Sequence, residues 1–242
     1  MYSAWMAFGG ASLLIALAAC QPEETPSLPS GTGAVSATQD GSVARELHDA
    51  ARQRIWRLTQ SGLALENEAS GETQIVPLPN WIWAHAEYAG CLPDLALGPA
   101  GEVVVTSNIT PTLWRVDPQT LAVSERTLWL NAEYGKEVGF TGLVYSPRQD
   151  VYFAVSALHG SLWRIDPQLR KAQMLMLQEP LRGACSVRLR ARSERVERLT
   201  GLCIGMESGT RHLVVAPDQR AAHVRPQPCV EGRSGADVAF AR

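Results

Sequence analysis

The nonapeptide "TLWRVDPQT" at Thr112–Thr120 returns as "SLWRIDPQL" at Ser161–Leu169, and a plainer version, "RIWRLTQSG", stands at Arg54–Gly62. Trp114 and Trp163 are 49 residues apart, as are Asp117 and Asp166, while Trp83 and Trp129, and Glu87 and Glu133, are 46 apart. A period of 40 to 50 residues in a chain without long amphipathic helices is the mark of a sheet unit repeated around an axis. Short apolar runs such as "EVVVTSN", "DVYFAVS" and "RHLVVAP" are rich in β-branched and aromatic residues and are broken by Gly, Pro, Asp or Asn. That is a strand-and-turn pattern.

One unit reads "CLPDLALGPAGEVVVTSNITPTLWRVDPQTLAVSERTLWLNAEY" and the next "GFTGLVYSPRQDVYFAVSALHGSLWRIDPQLRKAQMLMLQEP". Each unit contains four strands, with the Trp-bearing repeat third. A fainter unit combines "CSVRLR", "RLTGLCIGM", "RHLVVAPD" and "AAHVRPQ". The final "GADVAFAR" reads as a first strand with nothing after it, and "ARQRIWRLTQSG" as a third strand with none before it. The expected fold is therefore all-β, a small β-propeller of about four blades closed by pairing of N- and C-terminal strands, over residues 43–242. Between Leu63 and Tyr88 there is room for an added hairpin, "GLALENE" with "ETQIVPL", the only place for a fifth blade.

The blade pattern resembles the YVTN, quinoprotein-like and regucalcin/gluconolactonase groups of propellers. The regucalcin resemblance implies metal-dependent hydrolysis of a lactone or ester. Glu87, Asp94 and Glu133 are then the candidate ligands of a calcium-like divalent cation. However, the "PNG" that supplies an Asn ligand in that group is replaced here by "LPDLAL" and "FTGLVY".

Ahead of the domain, "ASLLIALAAC" at Ala11–Cys20 is an apolar run ending in small residues. It is too short to cross a bilayer as a helix, which takes about 20 apolar residues, and has the form of a signal-peptide core. The tetrad Leu17-Ala18-Ala19-Cys20 resembles the bacterial lipobox. The resemblance implies removal of residues 1–19 and lipidation of Cys20, which would anchor the protein to a membrane. Gln21 after the cysteine favours, by the habit of that class, the periplasmic side of the outer membrane over the inner one. Residues 20–42 are rich in Pro, Ser, Thr and Gly and form a flexible tether, with a typical reach of roughly 26 Å.

An exported chain meets oxidising conditions, and four cysteines remain after Cys20. The repeat alignment puts Cys185 and Cys203 on neighbouring strands and lets Cys91 and Cys229 open adjacent blades, so those are the two expected disulfides. No C-x-x-C is present, which argues against a zinc site or a redox pair.

With 22 Lys+Arg against 24 Asp+Glu, the chain lacks the basic field that nucleic-acid binding requires. No G-x-S-x-G elbow occurs, and "GTGAV" at Gly31 lies in the tether, outside the strand-turn-helix setting of a dinucleotide site. No cofactor is predicted beyond the cation. The candidate binding residues instead come from loops between blades. "HAEYAG" and "NAEYGK" repeat one polar-aromatic sequence, contributing His85, Glu87, Tyr88, Asn131, Glu133 and Tyr134, with Glu179 and Glu231 at comparable places in other units. Connections between successive blades gather at one face, where four glutamates could hold a cation or meet a basic partner. Trp81 and Trp83 are candidates to line a sugar or peptide groove. The function expected from these features is a membrane-tethered scaffold that binds a protein or an envelope polymer.

Overall fold

The computed structural model describes residues 43–84, 91–132, 138–190, 200–206, 209–215 and 222–225, all β-sheet, turn or coil. Four antiparallel sheets follow one another along the chain as the blades of a four-bladed β-propeller. The first contains β1 (Arg45–Asp49), β2 (Arg54–Thr59), β3 (Gly62–Asn67) and β4 (Thr73–Val76). The second contains β5 (Leu95–Leu97), β6 (Val103–Thr106), β7 (Thr112–Val116) and β8 (Val123–Thr127).

The next strand, β9 (Trp129–Leu130), leaves its own blade and pairs in parallel with the far edge of the third. That blade contains β10 (Gly142–Ser146), β11 (Val151–Ser156), β12 (Ser161–Ile165) and β13 (Lys171–Leu175). The fourth consists of β14 (Ala184–Leu189), β15 (Thr200–Met206), β16 (Gly209–Val215) and β17 (Ala222–Arg225). The first strands lie side by side around the axis, β1 against β5, β5 against β10 and β10 against β14.

Strand composition decides how each blade packs. In β6, Val103, Val104 and Val105 are all fully buried. Successive side chains point to opposite faces, so Val103 and Val105 enter a cluster with Leu47, Trp56 and Leu65 of the first blade. Val104 enters a second cluster, with Phe140, Tyr152 and Trp163 of the third. A blade held between two others needs apolar residues on both faces, hence the unbroken "VVV". The third blade behaves likewise, with Tyr152 and Ala154 facing the second and Phe153 and Val155 facing Leu202, Ile204 and Leu213 of the fourth.

The repeated tryptophans supply the largest pieces of these seams. Trp114 is 1% exposed and Trp163 fully buried. Trp114 donates its indole N–H to the Pro79 carbonyl at 2.7 Å, and Trp163 donates to Ser161 Oγ at 2.8 Å. Trp81 meets Trp114 edge-on at 5.0 Å and Phe140 meets Trp163 edge-on at 6.2 Å, the geometry that aromatic quadrupoles favour.

The first blade corrects the expected strand assignments. "RIWRLT" is the second strand of its sheet, not the third, and the unrecognised first strand is "RELHD". Alternate residues of that strand, Arg45, Leu47 and Asp49, are buried, but only Leu47 is apolar, which hides it from a search for continuous apolar runs. "GLALENE" and "ETQIVPL" supply the outer pair of this same blade and add no fifth. Its four places are thus filled by consecutive strands; "GADVAFAR" lies outside the described residues.

Both expected disulfides are also corrected, because Cys91 is bonded to Cys185. The β14–β15 register explains why Cys185 cannot take Cys203. Cys203 stands opposite Arg188, three residues along the strand, a displacement of about 10 Å that no disulfide spans. Cys91, just ahead of β5, meets Cys185 on β14 with a Cα separation of 5.2 Å. Cys203 is itself disulfide-bonded, to neither of these.

Candidate functional site

A propeller brings distant chain segments together where its first strands converge, and here that place is a junction of charge. Arg45 on β1 and Asp94, just before β5, are both 7% exposed. Arg45 Nε stands 3.4 Å from Asp94 Oδ1, and Arg45 Nη2 donates to the Cys185 carbonyl on the fourth blade at 2.8 Å. The Leu95 and Leu143 amides donate to the two Asp94 oxygens at 2.9 Å each. One ion pair therefore touches all four blades. Burial raises the Asp94 pKa, opposed by the Arg45 guanidinium, then by the two amides and by Arg188.

The same end is tied by side chains the sequence reading did not single out. Thr106 Oγ1 donates to the Phe140 carbonyl at 2.8 Å, joining the second blade to the entry of the third. Thr141 Oγ1 donates to the Ala184 carbonyl at 2.7 Å, joining the third to the fourth. Asn108 follows β6 and holds the chain leading into its own blade: Nδ2 donates to the Ala84 and Cys91 carbonyls at 2.7 and 3.0 Å, and Oδ1 accepts from the Ala84 amide at 3.0 Å. It thereby fixes both stems of the "HAEYAG" loop. Gly139, at the next interblade connection, has no room for a Cβ, which would meet the Asn108 backbone. The polar residues directly after an apolar strand, "TSN", were the available signal.

At the opposite turns the repeated "DPQ" is explained. Asp117 Oδ1 accepts from the Gln119 and Thr120 amides at 2.9 and 2.7 Å, and Asp166 Oδ1 accepts from the Gln168 amide at 3.0 Å. The aspartates thus shape the turns locally. The prolines after them turn their carbonyls to the preceding blade: Arg54 Nη1 donates to Pro118 O at 2.6 Å, and Arg115 Nη2 donates to Pro167 O. The nonapeptide therefore contains a packing tryptophan, a turn former and a clasp between blades.

The predicted site residues separate into two groups. His85, Glu87, Tyr88, Glu133, Tyr134 and Glu231 lie outside the described residues, as does Cys20. Among the described ones, Trp81 and Trp83 are partly buried against the first apolar cluster. Asn131 Oδ1 accepts from the Met174 amide at 2.7 Å, securing the connection beside β13. Glu179, whose side chain is 71% exposed, accepts from Arg211 Nη1 at 3.1 Å. Asp94, the third candidate metal ligand, is committed to the axial junction. No group of three or more metal-ligating side chains occurs among the described residues.

No family model matches the sequence and no curated protein matches it. Solved structures of β-propeller proteins resemble its fold. Virginiamycin B lyase from Staphylococcus aureus is 15% identical with a TM-score of 0.51, matching 72% of this chain and 52% of its own. An auxiliary nutrient binding protein from Bacteroides ovatus is 12% identical with a TM-score of 0.51, over 75% and 46%. The GH74 xyloglucanase from Xanthomonas campestris is 14% identical with a TM-score of 0.52, over 74% and 29%. The chain thus spans about half, or less, of the length of these proteins, which include both enzymes and a binding protein. At such identities the likeness concerns the fold alone.

Proposed function

We propose that this chain is a lipid-anchored protein of the bacterial envelope whose propeller serves as a binding scaffold for another protein or an envelope polymer. The observation that carries this reading is the commitment of Asp94. This buried carboxylate near the axis is paired with Arg45 and accepts two backbone amides, so it serves cohesion between blades. The metal-dependent hydrolase reading depends on this same carboxylate as a ligand, and its charge is already matched by a guanidinium. Recognition then falls to the interblade loops that begin at Ala84 and Ala132, whose stems Asn108 and Asn131 hold in place. The lipobox at Cys20 and the tether after it set the scaffold facing the periplasm.

The test uses the full-length protein in its own cells. Cys20→Ala should move it from the membrane fraction to the soluble one. Photocrosslinking side chains placed at Glu87 and Glu133 should capture an envelope partner, whereas the same group at Gln119, in a turn at the other end of a blade, should not. With the photocrosslinking side chain moved to Ala86, reversing the charge at Glu87 and Glu133 together should abolish capture. Capture from Gln119 alone, or capture indifferent to the charge reversal, would refute the loop face as the recognition surface.

A further inference from the structure

Three tryptophans of the seam between the first and second blades carry hydrogen-bond donors without acceptors among the described residues. Trp56 is part of the apolar cluster that fills this seam, and Trp81 and Trp83 pack against it. The indole Nε1 of each is buried and makes no hydrogen bond. We propose that the seam contains a buried water site, of two or more waters, whose oxygens accept from these three indole N–H groups.

The repeat accounts for the donor on β2. In "SLWRI" the residue two before the tryptophan is Ser161. Alternate residues share a face of a strand, so Ser161 Oγ accepts from Trp163 Nε1 at 2.8 Å. In "RIWRL" that place belongs to Arg54, itself a donor, whose Nη1 is given to the Pro118 carbonyl. Trp56 is therefore left without the built-in acceptor of its counterpart. Trp114 of the same seam solves the problem differently, donating to the Pro79 carbonyl at 2.7 Å.

The lining specifies what the site takes. Indole nitrogen is a donor only, so the guest is an acceptor. The cluster is composed of Leu, Val, Ala and Trp side chains, which offer an anion no counter-charge, so the guest is neutral. Trp56, Leu58, Leu63, Val103, Val105 and Val116 are fully buried, so it is also small. Water meets all three conditions. One water oxygen has two lone pairs, and three donors therefore call for at least two waters. Their own protons need acceptors in turn. A backbone carbonyl carries two lone pairs, and those of Leu78 and Pro79 each use one, for the Trp81 amide and for Trp114 Nε1. Without water, each indole would forgo the hydrogen bond it makes in the unfolded chain, at a cost to the folded state.

The test separates a hydrated donor from an unsatisfied one. Benzothienylalanine has the shape of tryptophan with sulfur in place of the indole N–H. In the full-length protein, Trp163→benzothienylalanine removes a bond made within the protein and should lower Tm by about 3 °C. Trp56→benzothienylalanine should lower it by a similar amount, because a bond to water is lost. An unchanged or raised Tm at position 56, the result expected for a donor that had no partner, would overturn the proposal. A high-resolution crystal structure of the unaltered protein supplies a readout independent of any variant. It should show water oxygens within about 3.2 Å of Nε1 of Trp56, Trp81 and Trp83. A dry seam, a shifted protein group that takes up the donors, or density too large for water would each overturn it.

Discussion

The first and second blades have the same four-stranded design, yet one is apolar on a single face and the other on both. In the second, Val103 and Val105 serve one neighbour and Val104 the next. In the first, Leu47, Trp56, Leu58 and Leu65 pack toward the second blade, while Glu46, Arg57 and Glu66 occupy the opposite face as a charged row. Continuous apolar strands therefore mark blades in the middle of the repeat, and alternating strands mark those at its ends. The axial ion pair and the cross-axis disulfide strengthen a ring whose apolar adhesion is unevenly distributed.

The comparison can be broken most forcefully at Trp114. Trp114→Ala should cost about 4 kcal/mol by opening a large cavity in the first seam, read as a lowered urea midpoint; a loss below about 1 kcal/mol would show that the seam repacks freely. Next in size is Asp94→Asn, expected to cost about 3 kcal/mol because the buried Arg45 charge loses the Asp94 carboxylate beside it. The double variant Arg45→Met with Asp94→Asn should recover much of that loss, and a double as unstable as the single would show that the pair is not the cause.

Arg57→Ala tests the charged face. Its guanidinium is partly exposed, and the pKa is raised by hydrogen bonding and charge from Glu66 and then Glu46, against desolvation. Screening keeps the expected loss within about 1 kcal/mol, and 0.5 M salt should shrink it further; a loss comparable to Trp114→Ala would erase the distinction between the two faces.

The smallest effect is expected at Asp117. The Thr120 amide, then the Gln119 amide and the Thr120 hydroxyl, hold its carboxyl below the usual carboxylate value. A depressed folded-state pKa gives stability that is present above about pH 4 and lost as pH falls through the folded value. Asp117→Asn should accordingly flatten the acid limb of a Tm-against-pH curve while leaving Tm near neutrality almost unchanged. An acid limb identical to that of the parent would remove the carboxylate from the turn's energetics.

Much of this organisation was legible in the residues. The 49-residue spacing located corresponding strands of the second and third blades, and the Asp-Pro dipeptides located their turns. The spacing could not reveal β1, because "RELHD" has a single apolar residue, Leu47, among four polar ones and has no partner in the repeat. Its neighbour "RIWRLT" matched the repeat by composition while occupying another place in the sheet. Composition specifies one packed face, and pairing specifies the place. The disulfides failed for a related reason, since Cys91 and Cys185 are separated by 94 residues and meet only because the ring is narrow at its axis. Asp94 was visible as an acidic residue at the start of a strand, but its commitment to Arg45 depended on the unseen β1.

The clasps between blades also impose an order in time. Arg115 waits 52 residues for the Pro167 carbonyl, and Arg54 waits 64 for that of Pro118, so each seam can close soon after the next unit has left the ribosome. Arg45 waits 140 residues for the Cys185 carbonyl, and a loop of that length closes late. Until then one axial arginine has only part of its partnership, and the ring spends most of its synthesis as a growing arc.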